Sequence, residues 1–147
     1  MRRKEAKTMR EILFRGKQLD NGEWVEGWYE MYPFGKWPVK TSIIPSEEAK
    51  DGHYEHAQVD PSTVGQYTGL KDKNGKRIFE GDIVHCLARM DEANCVVIFE
   101  EGEFRLVPER NYKTYVTGGG YHALRCFVKE VIGNVHDNPE LLKGGDC

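Results

Sequence analysis

The chain has 147 residues, 39% of them hydrophobic and 31% charged, and its 21 basic and 24 acidic side chains leave a formal net charge of -3. That length and balance suit one globular domain with its own core and exclude a disordered polyelectrolyte. No apolar run approaches the roughly 20 residues that cross a bilayer, and the N-terminus lacks a signal-length apolar segment, so no membrane partner and a cytoplasmic location are expected.

Residues 1–8, "MRRKEAKT", read as a polar N-terminal extension ahead of Met9, with the domain expected over 9–147. "REILFRGKQLDNGEWVEGWYEM" then predicts a β-hairpin turning at Asn21-Gly22, because both residues tolerate the positive φ that a two-residue type I′ turn demands. Such a turn sets Lys17 opposite Glu26, Phe14 opposite Tyr29 and Ile12 opposite Met31. One face carries Ile12, Phe14, Val25, Tyr29 and Met31; Trp24 and Trp28 fall on the other. "YPFGKWPVKTSIIPS" holds prolines at 33, 38 and 45, which excludes a long helix and predicts an irregular or edge segment with a short strand at "KTSII". "SEEAKDGHYEHAQ" reads as a polar loop, in which His53 and His56 are expected to be solvated.

Asp60-Pro61 is a turn or helix-start signal, and extended chain is predicted from Val64 to Leu70. Asn74-Gly75 predicts a second tight turn, between "TGLK" and "RIFE", with Lys73 facing Lys76 and Leu70 facing Phe79. Gly81 permits an abrupt change of direction, after which Asp82 is placed to accept from nearby backbone. "DIVHCLARM" predicts a strand that alternates Ile83 and His85 with Val84 and Cys86. That alternation removes a His85-Cys86 dyad, since adjacent strand residues point to opposite faces. "CVVIFEEGEFRLV" predicts a third hairpin at Glu101-Gly102, pairing Phe99 with Phe104 and Val97 with Leu106. "PERNYKTYVTGGGYHA" reads as a long loop or weak strands. "LRCFVKEVIGNVHD" gives one or two strands with a bulge or close approach at Gly133, and "NPELL" a single helical turn opened by Pro139.

The hairpin signals, and the lack of any 12-residue amphipathic run, predict a mainly β fold with short helical turns only. The candidates are a small, partly open barrel or two packed antiparallel sheets. Cys86, Cys95, Cys126 and Cys147 lack paired-knuckle spacing, so neither structural zinc nor a disulfide is expected. No catalytic constellation or cofactor-binding signature stands out. The glycine run of "TGGGYH" lacks the Lys-Ser/Thr of a phosphate loop; a functional role there would be a lid or an anion nest beside His122. The densest chemistry is aromatic: Trp24, Trp28, Tyr29, Tyr32, Phe34 and Trp37, interleaved with Arg15, Lys36 and Lys40. Unburied rings of this kind mark protein interfaces, while rings among lysines also suit single-stranded nucleic acid. Trp24, Trp28, Tyr32, Phe34, Trp37 and His122 are therefore the candidate interface or ligand-binding residues.

Three segments, "MREILFRGKQLDNGEWVEGWY", "TVGQYTGLKDKNGKRIFEGDIV" and "EVIGNVHDNPELL", together resemble the YopX family of phage and prophage proteins in content, order and separation. The resemblance spans residues 9–142 and departs from the family at the long "TYVTGGGYHA" loop. It implies a mainly β domain and a phage or prophage setting, and it brings no catalytic residue or cofactor to any position. The expected function is that of a non-enzymatic accessory or regulatory protein acting through a host or phage protein or through self-association as a homo-oligomer. The alternatives are a nucleic-acid-binding small barrel, which the net charge does not favour, and an uncharacterised hydrolase or nuclease.

Overall fold

The computed structural model describes residues 10–32, 40–45, 56–88, 91–112, 122–123 and 128–142. The extension at 1–8, Phe34, Trp37, His53, most of the 117–122 glycine run, Cys126 and Cys147 lie outside them. The fold is mainly β: two antiparallel sheets, with no closed barrel. The first sheet holds β1 (Phe14–Lys17), β2 (Trp24–Tyr32), β3 (Lys40–Pro45), β4 (Ala57–Gln58), β5 (Gly65–Lys71) and β6 (Arg77–Phe79) in the order β4-β3-β2-β1-β5-β6. The second holds β7 (Asp82–Ala88), β8 (Asp91–Glu100), β9 (Glu103–Pro108), β10 (His122–Ala123) and β11 (Val128–Asn134) in the order β10-β9-β8-β7-β11. Among the described residues, helix is limited to α1 (Glu109–Tyr112) and 3-10 turns at Pro61–Thr63 and Pro139–Leu141, both opened by proline.

The third hairpin follows its sequence signal. Glu100 faces Glu103, Phe99 faces Phe104 and Val97 faces Leu106. Glu101 at φ 51 and Gly102 at φ 81 give the two positive-φ positions of a type I′ turn. The first hairpin differs. Its register is Lys17↔Trp24, Arg15↔Glu26 and Phe14↔Gly27, two residues away from the expected pairing. The Asn21 side chain accepts from the Glu23 N–H at 2.9 Å, and the loop is closed instead by Gln18 N–H to Glu23 O and Gly22 N–H to Gln18 O. Gln18 is drawn into a bridge with Val59, which fixes where β1 ends. A two-residue shift preserves the side-chain faces, so Phe14 still meets Tyr29, with ring centroids 5.4 Å apart, as a diagonal neighbour. The expected Lys17–Glu26 pair is replaced by Arg15 opposite Glu26.

The second hairpin also turns where expected but closes over three residues. Asp72 N–H donates to Lys76 O, Gly75 stands at φ 80, and Lys71 faces Arg77. Asp72 organises the loop: one carboxylate oxygen accepts the N–H groups of Asn74 and Lys76, each at 2.9 Å, and the other accepts Val131 N–H at 3.0 Å. Burial pushes its pKa up, but these donors outweigh burial and hold the carboxyl below its ordinary range. The predicted edge at "KTSIIP" is instead internal, because β4 pairs with β3 on the side away from β2.

The main core lies on one face of the second sheet, where Val84, Cys86, Cys95, Val97, Leu106 and Val131 pack with Ile78 of β6. Its other face buries Ile83 and Val96 against Leu142. Covered on both sides, β7 and β8 read as apolar runs, and each fully buried Val or Ile adds about 1.5–3 kcal/mol. Gly81, at φ 90, turns the chain from one sheet into the other. Phe79 N–H then donates to Asp82 at 2.8 Å, as the sequence suggested.

Candidate functional site

The β1–β2 ribbon carries the sequence-predicted tryptophans on one face, and the structure gives them different surroundings. Trp24 sits opposite Lys17 at the start of β2. Its indole Nε1–H donates to Asp137 Oδ2 at 2.7 Å, and the Lys17 ammonium pairs with the other carboxylate oxygen. The Arg15 guanidinium lies between two rings, 4.5 Å from the Trp24 centroid and 4.8 Å from that of Phe79. Its Nη2 reaches Asp82 Oδ1 at 2.7 Å. Burial pushes the Asp82 carboxyl up, and the Arg15 charge opposes that push. The arrangement fastens Trp24 by its polar edge and by its face at once.

The segment "GNVHDN" builds the other wall. Asn134 Oδ1 accepts the N–H groups of His136 and Asp137, an Asx turn that presents Asp137 toward Trp24. Gly133 allows this, because a Cβ there would collide with Asn138. Lys17 and Trp24, by hydrogen bonding, lower the Asp137 pKa to about 2. His136 packs on Trp24 with ring centroids 5.8 Å apart, and burial, reinforced by Arg15, lowers its pKa.

Further along β2 the side chains turn outward on both faces. Trp28 is 46% exposed on the Trp24 face. On the opposite face Tyr29 is 38% and Met31 50% exposed, joined by Ile12 at 51%. The Tyr29 hydroxyl reaches Met31 Sδ at 3.5 Å, while its ring stacks on Phe14. Tyr29 thus contacts both Phe14 and Met31 on one side of the ribbon, with the Trp28 indole exposed on the other.

Of the predicted residues, then, Trp24 is half-buried in a polar network and Trp28 is open. Tyr32 closes β2 opposite Lys40, and His122 lies in β10 opposite Leu106. Phe34 and Trp37 are outside the described residues. Arg15, Lys17, His136 and Asp137 were not nominated by sequence reasoning. Arg15 was noted only as a cation interleaved with the aromatic residues, and "NVHDNP", rich in turn-forming polar residues, hinted at His136 and Asp137. Elsewhere, His85 points to Asn94 at 2.9 Å, whereas Cys86 is buried beside Cys95 in the core, and neither is in a disulfide. Its hydrogen bond with Cys95, together with burial, pushes the Cys86 thiol up, so it is a poor nucleophile at neutral pH. Among the described residues no three His, Cys, Asp or Glu side chains are grouped to hold a metal, and no helix is long and apolar enough to cross a membrane.

A family model described as YopX protein matches residues 13–143 of the chain. No curated protein matches it.

Proposed function

The chain belongs to the YopX family, and from that premise we propose that it is a non-enzymatic accessory or regulatory protein of phage or prophage type, working in the cytoplasm through protein–protein association, its first partner a second copy of itself. The observation that carries the proposal is the two-sided exposure of β2: Trp28 on one face, and Tyr29 with Met31 and Ile12 on the other. Large apolar side chains clustered in this way are characteristic of contact surfaces, where aromatic residues and Met are enriched. A strand uncovered on both faces is well served by a copy of itself, because a two-fold axis brings the same patch to each side of one interface. Trp24 stays within its own chain and supports the ribbon that presents the patch.

Light scattering coupled to size exclusion tests this directly. The expected mass is a multiple of the 16.9 kDa chain at micromolar concentration. A Trp28→Ser/Met31→Lys variant should return to the single-chain mass while still unfolding cooperatively, since both side chains are exposed within the chain. Burial of apolar surface also predicts that association holds or strengthens as salt rises. A single-chain mass for the wild type across that concentration range refutes self-association.

A further inference from the structure

Four basic side chains converge at the base of the β5–β6 hairpin, in a cleft of about 340 Å³ lined by Arg15, Lys71, Lys76 and Arg77 together with Glu26 and the buried Phe79. Lys71 and Arg77 are direct cross-strand partners, and Lys76 precedes Arg77 in the chain. Like charges placed opposite one another destabilise a ribbon unless an anion lies between them. Arg15 is 8% exposed, yet among the described residues neither its Nε–H nor the buried Nε–H of Arg77 has an acceptor. Unpaired buried donors are rare in folded proteins, and guanidinium groups are well suited to hydrogen-bonded recognition of an oxyanion.

Neighbouring acids neutralise only part of this charge. Asp82 pairs with Arg15, while Glu11 at 3.2 Å and Glu26, itself part of the cleft wall, at 3.4 Å pair with Arg77. Among the described residues, neither the Lys71 nor the Lys76 ammonium has a carboxylate within ion-pair distance. We propose that this cleft binds the phosphate group of a small molecule, held among the four cationic groups that line it, the guanidinium groups of Arg15 and Arg77 and the ammonium groups of Lys71 and Lys76. The volume lies at the small end of ligand sites, which run from roughly 300 to 1,000 Å³. Glu26 in the cleft wall and Glu11 beside Arg77 disfavour a continuous polyanion, whose successive phosphates would meet both carboxylates, more than a single compact phosphate.

Calorimetry and backbone-amide NMR titrations of the full chain at constant ionic strength test the site, with inorganic phosphate and a nucleoside monophosphate as probes and chloride as control. Saturable binding is expected, with shifts centred on residues 71–79. A Lys71→Gln/Lys76→Gln variant should bind at least tenfold more weakly while its ligand-free melting temperature stays at or above that of the wild type, since both side chains are exposed and a like-charge pair is relieved. Arg77→Lys keeps the charge but loses the planar edge, so a severalfold loss there assigns the guanidinium geometry. A non-saturating response, or equal affinity in the double variant, overturns the site. A single-stranded oligonucleotide bound more than tenfold tighter than the nucleoside monophosphate overturns its assignment to a small molecule.

Discussion

Asp137 shows how one side chain ties two distant stretches of chain together. It accepts from the Trp24 indole and from Asn134 Nδ2 and pairs with Lys17, and its pKa falls to about 2. A carboxylate whose folded pKa lies below its unfolded value adds stability above the ordinary pKa of about 3.8, and that stability is lost as pH falls toward 2. His136 acts in the same direction at higher pH. Its neutral form is favoured in the folded chain, so stability declines as pH drops below its ordinary 6.5. Asp137→Asn should therefore cost about 1 kcal/mol at pH 7, a modest value because the carboxylate is partly solvated. Urea unfolding at pH 7, 4 and 2 checks this: the gap between wild type and variant should close by pH 2. A gap that persists there would locate the effect in shape rather than charge.

At the scale of the element, the β8–β9 turn places a glutamate where the backbone wants Asn or Gly. Glu101 holds φ 51, a left-handed conformation that costs a residue with a Cβ about 1–2 kcal/mol. Its compensation is an exposed ion pair with Arg105, which contributes little. Glu101→Asn should raise stability by roughly 0.5–1 kcal/mol, because Asn tolerates that region. Gly102→Ala should lower stability by about 1 kcal/mol or more. Denaturant midpoints of the two variants should move in opposite directions, and movement of both the same way would mean that this turn does not limit the hairpin. The turn was legible from sequence because its two-residue geometry depends only on local backbone. At Asn21-Gly22 the turn was legible but its register was not, because Val59, 38 residues beyond Asn21, captures Gln18 and sets the loop length.

Across the whole molecule the two sheets are held by a few buried polar links as well as by the apolar core. Asp72 joins the β5–β6 loop to β11, and Asp82 joins β7 to Arg15 of β1. Asp72→Ala would leave the Val131 N–H buried without an acceptor, a loss of about 1–3 kcal/mol. If the sheets unfold as one unit, that loss should appear both in the global denaturation midpoint and in faster exchange of the Val131 amide. Faster exchange confined to residues 73–76, with an unchanged midpoint, would show that the link is local.

The sequence by itself determined the β class, the positions of three turns, the apolar faces of the strands and the helical turns at Pro61 and Pro139. These follow from backbone permissions and from period-2 patterning, both of which act over a few residues. Tertiary structure alone decided the register of the first two hairpins, the internal place of β3 and the fates of the two tryptophans. Trp24 and Trp28 are equivalent in pattern, sharing one face of one strand. Only the arrival of "NVHDN" from the far end of the chain clothes one and leaves the other open. The same holds for Arg15, Lys71, Lys76 and Arg77, which strand order brings around a single cleft. Charge convergence of that kind depends on which strands become neighbours, and no local propensity encodes it.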